Sequence, residues 1–130
     1  MPELAERAEE FDEVRFRALL DLAGPSTARE LTLRLDKDLT GVASALSGAA
    51  NGADAQVLRA QSHILLAIAG TIGANRLYAL SLHLNHMSRA AEFGLVAEVL
   101  REIMVLLHRL IDLVRATHRR LVSQTRAGQP

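Results

Sequence analysis

Cysteine is absent from the sequence of 130 residues, and aromatic side chains are scarce. Without thiols the chain forms neither disulfides nor thiolate zinc sites, so its stability must come from packing. Three phenylalanines, one tyrosine and no tryptophan are too few to build a platform on which nucleic-acid bases stack. We therefore expect a well-packed protein that binds no nucleic acid.

Long hydrophobic runs are also missing. The longest uncharged stretch, residues 60–75, contains His63 and two glycines and is short for a membrane span. The N-terminal sequence MPELAERAEE is acidic, unlike a secretory signal or a transit peptide. These features predict a cytoplasmic protein that does not enter a membrane.

A net charge of zero hides an uneven distribution. Residues 1–50 carry ten acidic and six basic side chains, whereas residues 51–130 carry five acidic and nine basic ones. The arginines from Arg115 onward are more typical of a solvated helix end, where cations interact favourably with the helix dipole, than of an anion-binding site.

The apolar pattern predicts helices, with no alternating run long enough for a strand. Turn residues at 24–26, 51–54, 73–75 and 93–94 divide the chain into five segments. No linker is long enough to separate domains, so residues 1–130 are predicted to form one domain. Four long helices with short connections predict an all-α fold, an antiparallel four-helix bundle with a short N-terminal helix as an appendage.

Capping residues and apolar rows define the helices. The first covers FDEVRFRALLDLA, the second begins with Ser26 as its N-cap, the third begins after Asp54, and the fourth begins near Asn75. The predicted apolar rows are Leu31, Leu35, Leu39, Val42 and Leu46 in the second helix, Leu77, Leu80, Leu84 and Ala91 in the fourth, and Leu95, Val99, Ile103, Leu106, Leu110, Leu113, Thr117 and Leu121 in the fifth.

One histidine interrupts the most apolar segment, QSHILLAIAGTIGANRL, residues 61–77. At about 100° per residue, one stripe of the third helix forms its natural core face. His63 lies roughly 200° from the centre of that stripe and is predicted to lie outside the core. The stripe consists of Val57, Gln61, Ile64, Leu65, Ile68 and Ile72.

The helix face around His63 is unusual for a solvated surface. Arg59, Leu66, Ala67 and Gly70 project beside the imidazole, and three of these four are apolar or small. An exposed patch of this kind is typical of a docking surface, which small residues let another protein approach closely. Contact with the N-terminal helix or with a dimer partner explains the patch equally well.

The sequence from His63 onward resembles the histidine phosphotransfer (HPt) domains of bacterial multistep phosphorelays. The family pattern is a histidine, any residue, Leu, Lys and Gly, followed by small residues, a further Gly and a helix with leucines at fixed spacing. The resemblance extends over about residues 11–121. The residues that match are His63, Leu65, Gly70, Gly73, Leu77 and Leu80.

The resemblance implies a phosphoryl carrier rather than an autonomous enzyme. His63 would accept a phosphoryl group from a receiver-domain phosphoaspartate, and Asn85 stands where the family often places an amide that hydrogen-bonds the ring. The implied partners are a response-regulator receiver domain and a sensor or hybrid histidine kinase. The chain would need no cofactor of its own, because the receiver would bring Mg²⁺, and it would act as a monomer.

Two positions depart from the family pattern. Leu66 and Ala67 stand in place of the Lys and the Gly that follow the histidine, and the single lysine of the chain, Lys37, lies elsewhere. The change to Leu66 removes a cation that would hold phosphoryl oxygens. Arg59, one helical turn before His63 on the same face, could partly replace it.

His83 and His86 have a spacing that could ligate a metal, but no acidic residue lies near them in sequence, so no metal site is predicted. Two other functions remain open. The bundle could be an adaptor that binds a receiver or kinase through the patch at Leu66 without transferring phosphate. Alternatively, two copies could pair like the dimerisation domain of a sensor kinase.

Overall fold

A computed structural model of the chain describes residues 10–50, 54–90 and 94–127. These residues contain no strand, which confirms the predicted all-α class. They form five α-helices, α1 (Glu13–Ala23), α2 (Pro25–Ala50), α3 (Ala55–Ile72), α4 (Asn75–Arg89) and α5 (Val96–Ala127).

The core lies between α2, α3, α4 and α5, with the closest packing of α3 on α4 and of α2 on α5. The predicted apolar rows largely fill it. Leu31, Leu113 and Leu121 are only partly buried, and Ala91 lies outside the described residues. The prediction that Leu95 is buried is wrong, since its side chain is 58% exposed. Leu95 precedes the first turn of α5. The row members that are buried are Leu35, Leu39, Val42, Leu46, Leu77, Leu80, Leu84, Val99, Ile103, Leu106, Leu110 and Thr117.

The helix starts follow local chemistry. The side chain of Asp54 accepts hydrogen bonds from the backbone N–H groups of Gln56 and Val57, which confirms it as the N-cap of α3. The prediction that Ser26 caps α2 is wrong, because the helix already includes Pro25. Proline suits the first helical turn because its fixed φ is helical. It lacks an N–H group, but an N–H at this position would have no acceptor within the helix.

The N-terminal helix is more than an appendage. Phe16 and Leu20 of α1 are buried in the common core, and the Phe11 ring packs edge-on against Phe16 with the ring centroids 5.6 Å apart. The backbone N–H of Asp12 donates a 2.8 Å hydrogen bond to the carbonyl of Gly73. The start of α1 is therefore joined to the turn between α3 and α4.

Polar contacts link α5 to its neighbours. Arg115 of α5 pairs with Asp36 of α2, with 3.0 Å between Nε and Oδ1, and this hydrogen bond lowers the pKa of Asp36. Glu102 of α5 pairs with Arg76 of α4. In the part of the chain that the structure describes, no helix has both the length and the apolarity needed to cross a bilayer.

Gly73 should resist substitution. Its φ is +84°, and a Cβ atom there would lie 3.2 Å from both Cβ and the carbonyl oxygen of Asp12. We expect Gly73→Ala to lower the free energy of unfolding by about 1–2 kcal/mol, measured by urea denaturation, because L side chains disfavour this conformation.

Gly41→Ala is the matched control, because Gly41 lies within α2 and a Cβ atom there would meet nothing within 4 Å. Gly41→Ala should raise the free energy of unfolding by about 0.5–1 kcal/mol, because alanine has a higher helix propensity than glycine. Equal effects of the two substitutions would contradict the importance of the Asp12–Gly73 contact.

Candidate functional site

The orientation of α3 decides which side chains reach its surface. Its buried face is centred on Leu58, Leu65 and Ala69, with Ser62 at one edge, and the predicted core stripe is rotated away from this face. Ile64, assigned to the core by the sequence, is 44% exposed, whereas the polar Ser62 is fully buried. Val57, Gln61 and Ile68 of the predicted stripe are only half-buried. The buried residues of α3 are Leu58, Ser62, Leu65, Ala69 and Ile72.

His63 is exposed, which confirms that it lies outside the core. Arg59 and Ala67 beside it are also exposed, and Leu66 is half-buried. We call Arg59, His63, Leu66, Ala67 and Gly70 together the His63 face. Since α3 is buried on its other side, the imidazole stands on a well-supported helix and is open to an incoming group.

Gly70 has a different surrounding from the rest of the His63 face. A Cβ atom at this position would lie 3.3 Å from Cδ2 of the Tyr78 ring on α4. A small residue at position 70 therefore allows α3 to pack against Tyr78 of the same chain. The sequence had instead suggested that it allows another protein to approach closely. Tyr78 itself remains 40% exposed and extends the surface beside the His63 face.

Asn85 of α4 is only 8% exposed, and its amide binds the helix that carries His63. Its Nδ2 donates to the backbone carbonyl of Arg59 and to Oγ of Ser62, both at 3.1 Å. In an α-helix the carbonyl of residue 59 also accepts the N–H of residue 63. Asn85 thus contacts the turn that presents His63, and the hydrogen bonds of the described residues include none between its amide and the ring.

Arg89 is a residue of this site that sequence reasoning missed. Its Nε donates a 3.0 Å hydrogen bond to Oδ1 of Asn85, so the buried amide connects Arg89 of α4 with the Arg59 turn of α3. The available signal was the spacing of four residues between Asn85 and Arg89, which places both on one face of a helix. The sequence does not show which face of α4 packs against α3, so this spacing alone did not indicate a functional role.

The surface near the His63 face also includes apolar side chains from α4. Leu82 is 50% exposed and lies one helical turn after Tyr78 on the same side of α4. Tyr78 contacts Gly70, and Asn85 contacts Arg59 and Ser62, so this edge of α4 runs alongside α3. Arginines and apolar groups therefore lie at different positions along the same helix pair.

The other histidines do not assemble a metal site within the described residues. His83 and His86 are exposed on α4, and no group of three or more metal-ligating side chains occurs in residues 10–50, 54–90 and 94–127. Nδ1 of His118 lies 2.9 Å from Oγ1 of the buried Thr32, which gives this half-buried ring a structural partner between α5 and α2.

The arrangement of helices is similar to that of a solved histidine-containing phosphotransfer protein. The structure resembles the crystal structure of histidine-containing phosphotransfer protein B (HptB) from Pseudomonas aeruginosa PAO1, with a TM-score of 0.77 and 18% sequence identity. The similarity covers 87% of this chain and 97% of that chain. Comparisons with protein-family models and with curated proteins gave no match. At this level of identity the likeness establishes the fold.

Removing the Asn85 amide should loosen the contact between α3 and α4. We expect Asn85→Ala to lower the free energy of unfolding by about 1–3 kcal/mol, because it deletes the hydrogen bonds to Arg59 and Ser62 and leaves a small void. Chemical denaturation measures the change.

Ser88→Ala is the control on the same helix. Ser88 is buried too, but its hydroxyl donates only to the carbonyl of Leu84 within α4. This substitution should change stability by less than about 0.5 kcal/mol. If Asn85→Ala also changes the free energy of unfolding by less than about 0.5 kcal/mol, the amide does not hold the two helices together.

Proposed function

We propose that this chain is a histidine-containing phosphotransfer protein that carries a phosphoryl group on His63. It accepts the group from the phosphoaspartate of one receiver domain and passes it to another receiver in a two-component phosphorelay. The observation that supports this most directly is the exposed imidazole on α3, in a bundle with the fold of a phosphotransfer protein.

The chemistry needs little from the chain itself. An imidazole has an unperturbed pKa near 6.5, so a neutral ring offers Nε2 as a nucleophile at neutral pH. Its lone pair forms the N–P bond while the P–O bond to the aspartate breaks and the carboxylate leaves. The proton on Nδ1 stays on the ring. Such transfer passes through a loose transition state, so alignment and charge neutralisation provide most of the acceleration.

The partner would supply what the bundle lacks. A receiver domain contributes the phosphoaspartate and the Mg²⁺ that neutralises its charge, and a sensor or hybrid histidine kinase starts the relay. The exposed Leu82 and Tyr78 beside the His63 face offer apolar area for docking. The carrier would act in the cytoplasm as a monomer that moves between partners.

A non-transferring adaptor is the second candidate. It is favoured by Leu66, which takes the place of the lysine that the family resemblance leads one to expect, and by the apolar surface of Leu82 and Tyr78 nearby. An adaptor would bind a receiver or a kinase through this surface without phosphorylation of His63. The two candidates differ in whether the imidazole itself is required.

The decisive substitution is His63→Gln. Incubation with radiolabelled phospho-receivers and autophosphorylated kinases of the same organism should label the unaltered chain with an acid-labile, alkali-stable group, and His63→Gln should abolish the label. His86→Gln removes another exposed histidine, on α4, and should leave labelling unchanged. A folded chain that binds a receiver but takes no label from any donor supports the adaptor.

Restoring a cation at position 66 should accelerate transfer. Leu66→Lys places an ammonium group one turn after His63, and we expect up to about a fivefold faster transfer from a receiver, corresponding to the stabilisation of up to about 1 kcal/mol typical of exposed ion pairs. Stopped-flow or quench-flow assays with a single receiver give the rate.

Thr71→Lys adds the same charge at an exposed position of α3 two turns beyond His63 and serves as the control. It should change the transfer rate far less than Leu66→Lys. Equal acceleration by both variants would indicate general electrostatic attraction of the receiver rather than a local effect at the phosphoryl group.

A further inference from the structure

Two arginines connected to the helical turn before His63 have no carboxylate partner among the described residues. Arg59 precedes His63 by one turn on α3, and Arg89 of α4 is linked to the Arg59 carbonyl through the side chain of Asn85. Both are exposed, and the ion pairs found in residues 10–50, 54–90 and 94–127 involve neither. The arginines that do pair with carboxylates are Arg17, Arg34, Arg76, Arg109 and Arg115.

The guanidinium of Arg89 is oriented by a buried group. Its Nε donates to Oδ1 of Asn85, whose Nδ2 is bound to the Arg59 carbonyl and to Ser62. Because Asn85 is buried and bonded at both ends, it fixes where the Nε of Arg89 lies. Hydrogen bonding through Nε leaves the two terminal nitrogens of the guanidinium available to another acceptor.

A phosphoryl group on His63 is such an acceptor. It carries a charge of about −1.5 to −2 at neutral pH and three strong acceptor oxygens. A guanidinium presents a planar set of donors that matches phosphate geometry, and one that is already oriented loses less freedom on binding. The position from which a lysine would otherwise act, residue 66, holds an uncharged leucine.

We propose that Arg89, positioned by Asn85, acts together with Arg59 to bind the phosphoryl oxygens of phosphorylated His63. The cations then lie toward the N-terminal end of α3 relative to His63, whereas the lysine of the family pattern would lie toward its C-terminal end. This assignment rests on the proposed carrier function. It makes Arg89 a phosphoryl-binding residue and Asn85 a positioning residue.

The test uses a donor that needs no protein partner. Phosphoramidate transfers its phosphoryl group to imidazole: the ring nitrogen forms the N–P bond, the donor P–N bond breaks, and ammonia leaves. The ³¹P resonance of phosphohistidine, followed against pH, gives the pKa of the phosphoryl group. His63→Gln identifies the signal, because it removes the resonance of His63 and leaves those of His83, His86 and His108, which are also exposed.

Loss of the Arg89 cation should make the phosphoryl dianion less favourable. We expect Arg89→Gln to raise the pKa of the phosphoryl group by about 0.5 to 1, and Arg89→Lys, which keeps the charge but not the fork, to raise it by less. Arg34→Gln removes an equal charge from an exposed ion pair on α2 and should leave this pKa unchanged.

Two further variants separate a local role from a structural one. Asn85→Ala, confirmed as folded by circular dichroism, should raise the pKa of the phosphoryl group although Arg89 is still present. Adding Leu66→Lys to Arg89→Gln should lower the pKa again, because a new cation replaces the lost one. A structural defect would not be rescued in this way.

The outcomes distinguish this assignment from the carrier function. If His63 is phosphorylated and the pKa of its phosphoryl group is the same in Arg89→Gln as in Arg34→Gln, the role of Arg89 is overturned and the carrier function stands. If neither phosphoramidate nor any phosphorylated receiver modifies His63 in the folded chain, the carrier function is overturned and the assignment of Arg89 with it.

Discussion

The packing of α4 against α3 through the buried amide of Asn85 is the contact on which the presentation of His63 depends. Nδ2 of Asn85 donates to the Arg59 carbonyl and to Oγ of Ser62, whose own hydroxyl donates to the same carbonyl. Another rotation of α3 against α4 would leave the buried amide without these acceptors, at a cost of roughly 1–3 kcal/mol, so the contact favours one rotation. With Ser62 turned inward, His63 is turned outward.

The same contact determines the electrostatic surroundings of the histidine. Oδ1 of Asn85 accepts from Arg89, so the residue that aligns the two helices also holds a guanidinium at their outer edge. A single buried amide therefore links the stability of the bundle to the charge near the imidazole. Farther along the pair, Tyr78 packs over Gly70, and the surface becomes apolar. Cationic and apolar parts thus occupy different segments of one helix pair.

The sequence was sufficient to predict the number and type of helices, because long apolar rows and turn residues are local features. It also predicted the Asp54 cap, whose partners lie within the next three residues. It failed for Ser26, where the proline just before it already belongs to α2. It failed again for Ile64, because α3 carries more apolar residues than one buried face accommodates, and periodicity alone does not rank them.

His63 was recognisable from the sequence, since its position relative to the apolar stripe and to the glycines and leucines that follow is encoded along one chain segment. The role of its neighbours was not. Asn85 binds the backbone and Ser62, and Arg89 binds Asn85, through contacts between residues 23 and 26 positions apart and along α4. Such contacts depend on the rotation and register of two packed helices, which local propensities leave free. The sequence therefore determined the bundle and the exposed histidine, and the tertiary structure alone decided which cations and which apolar groups surround it.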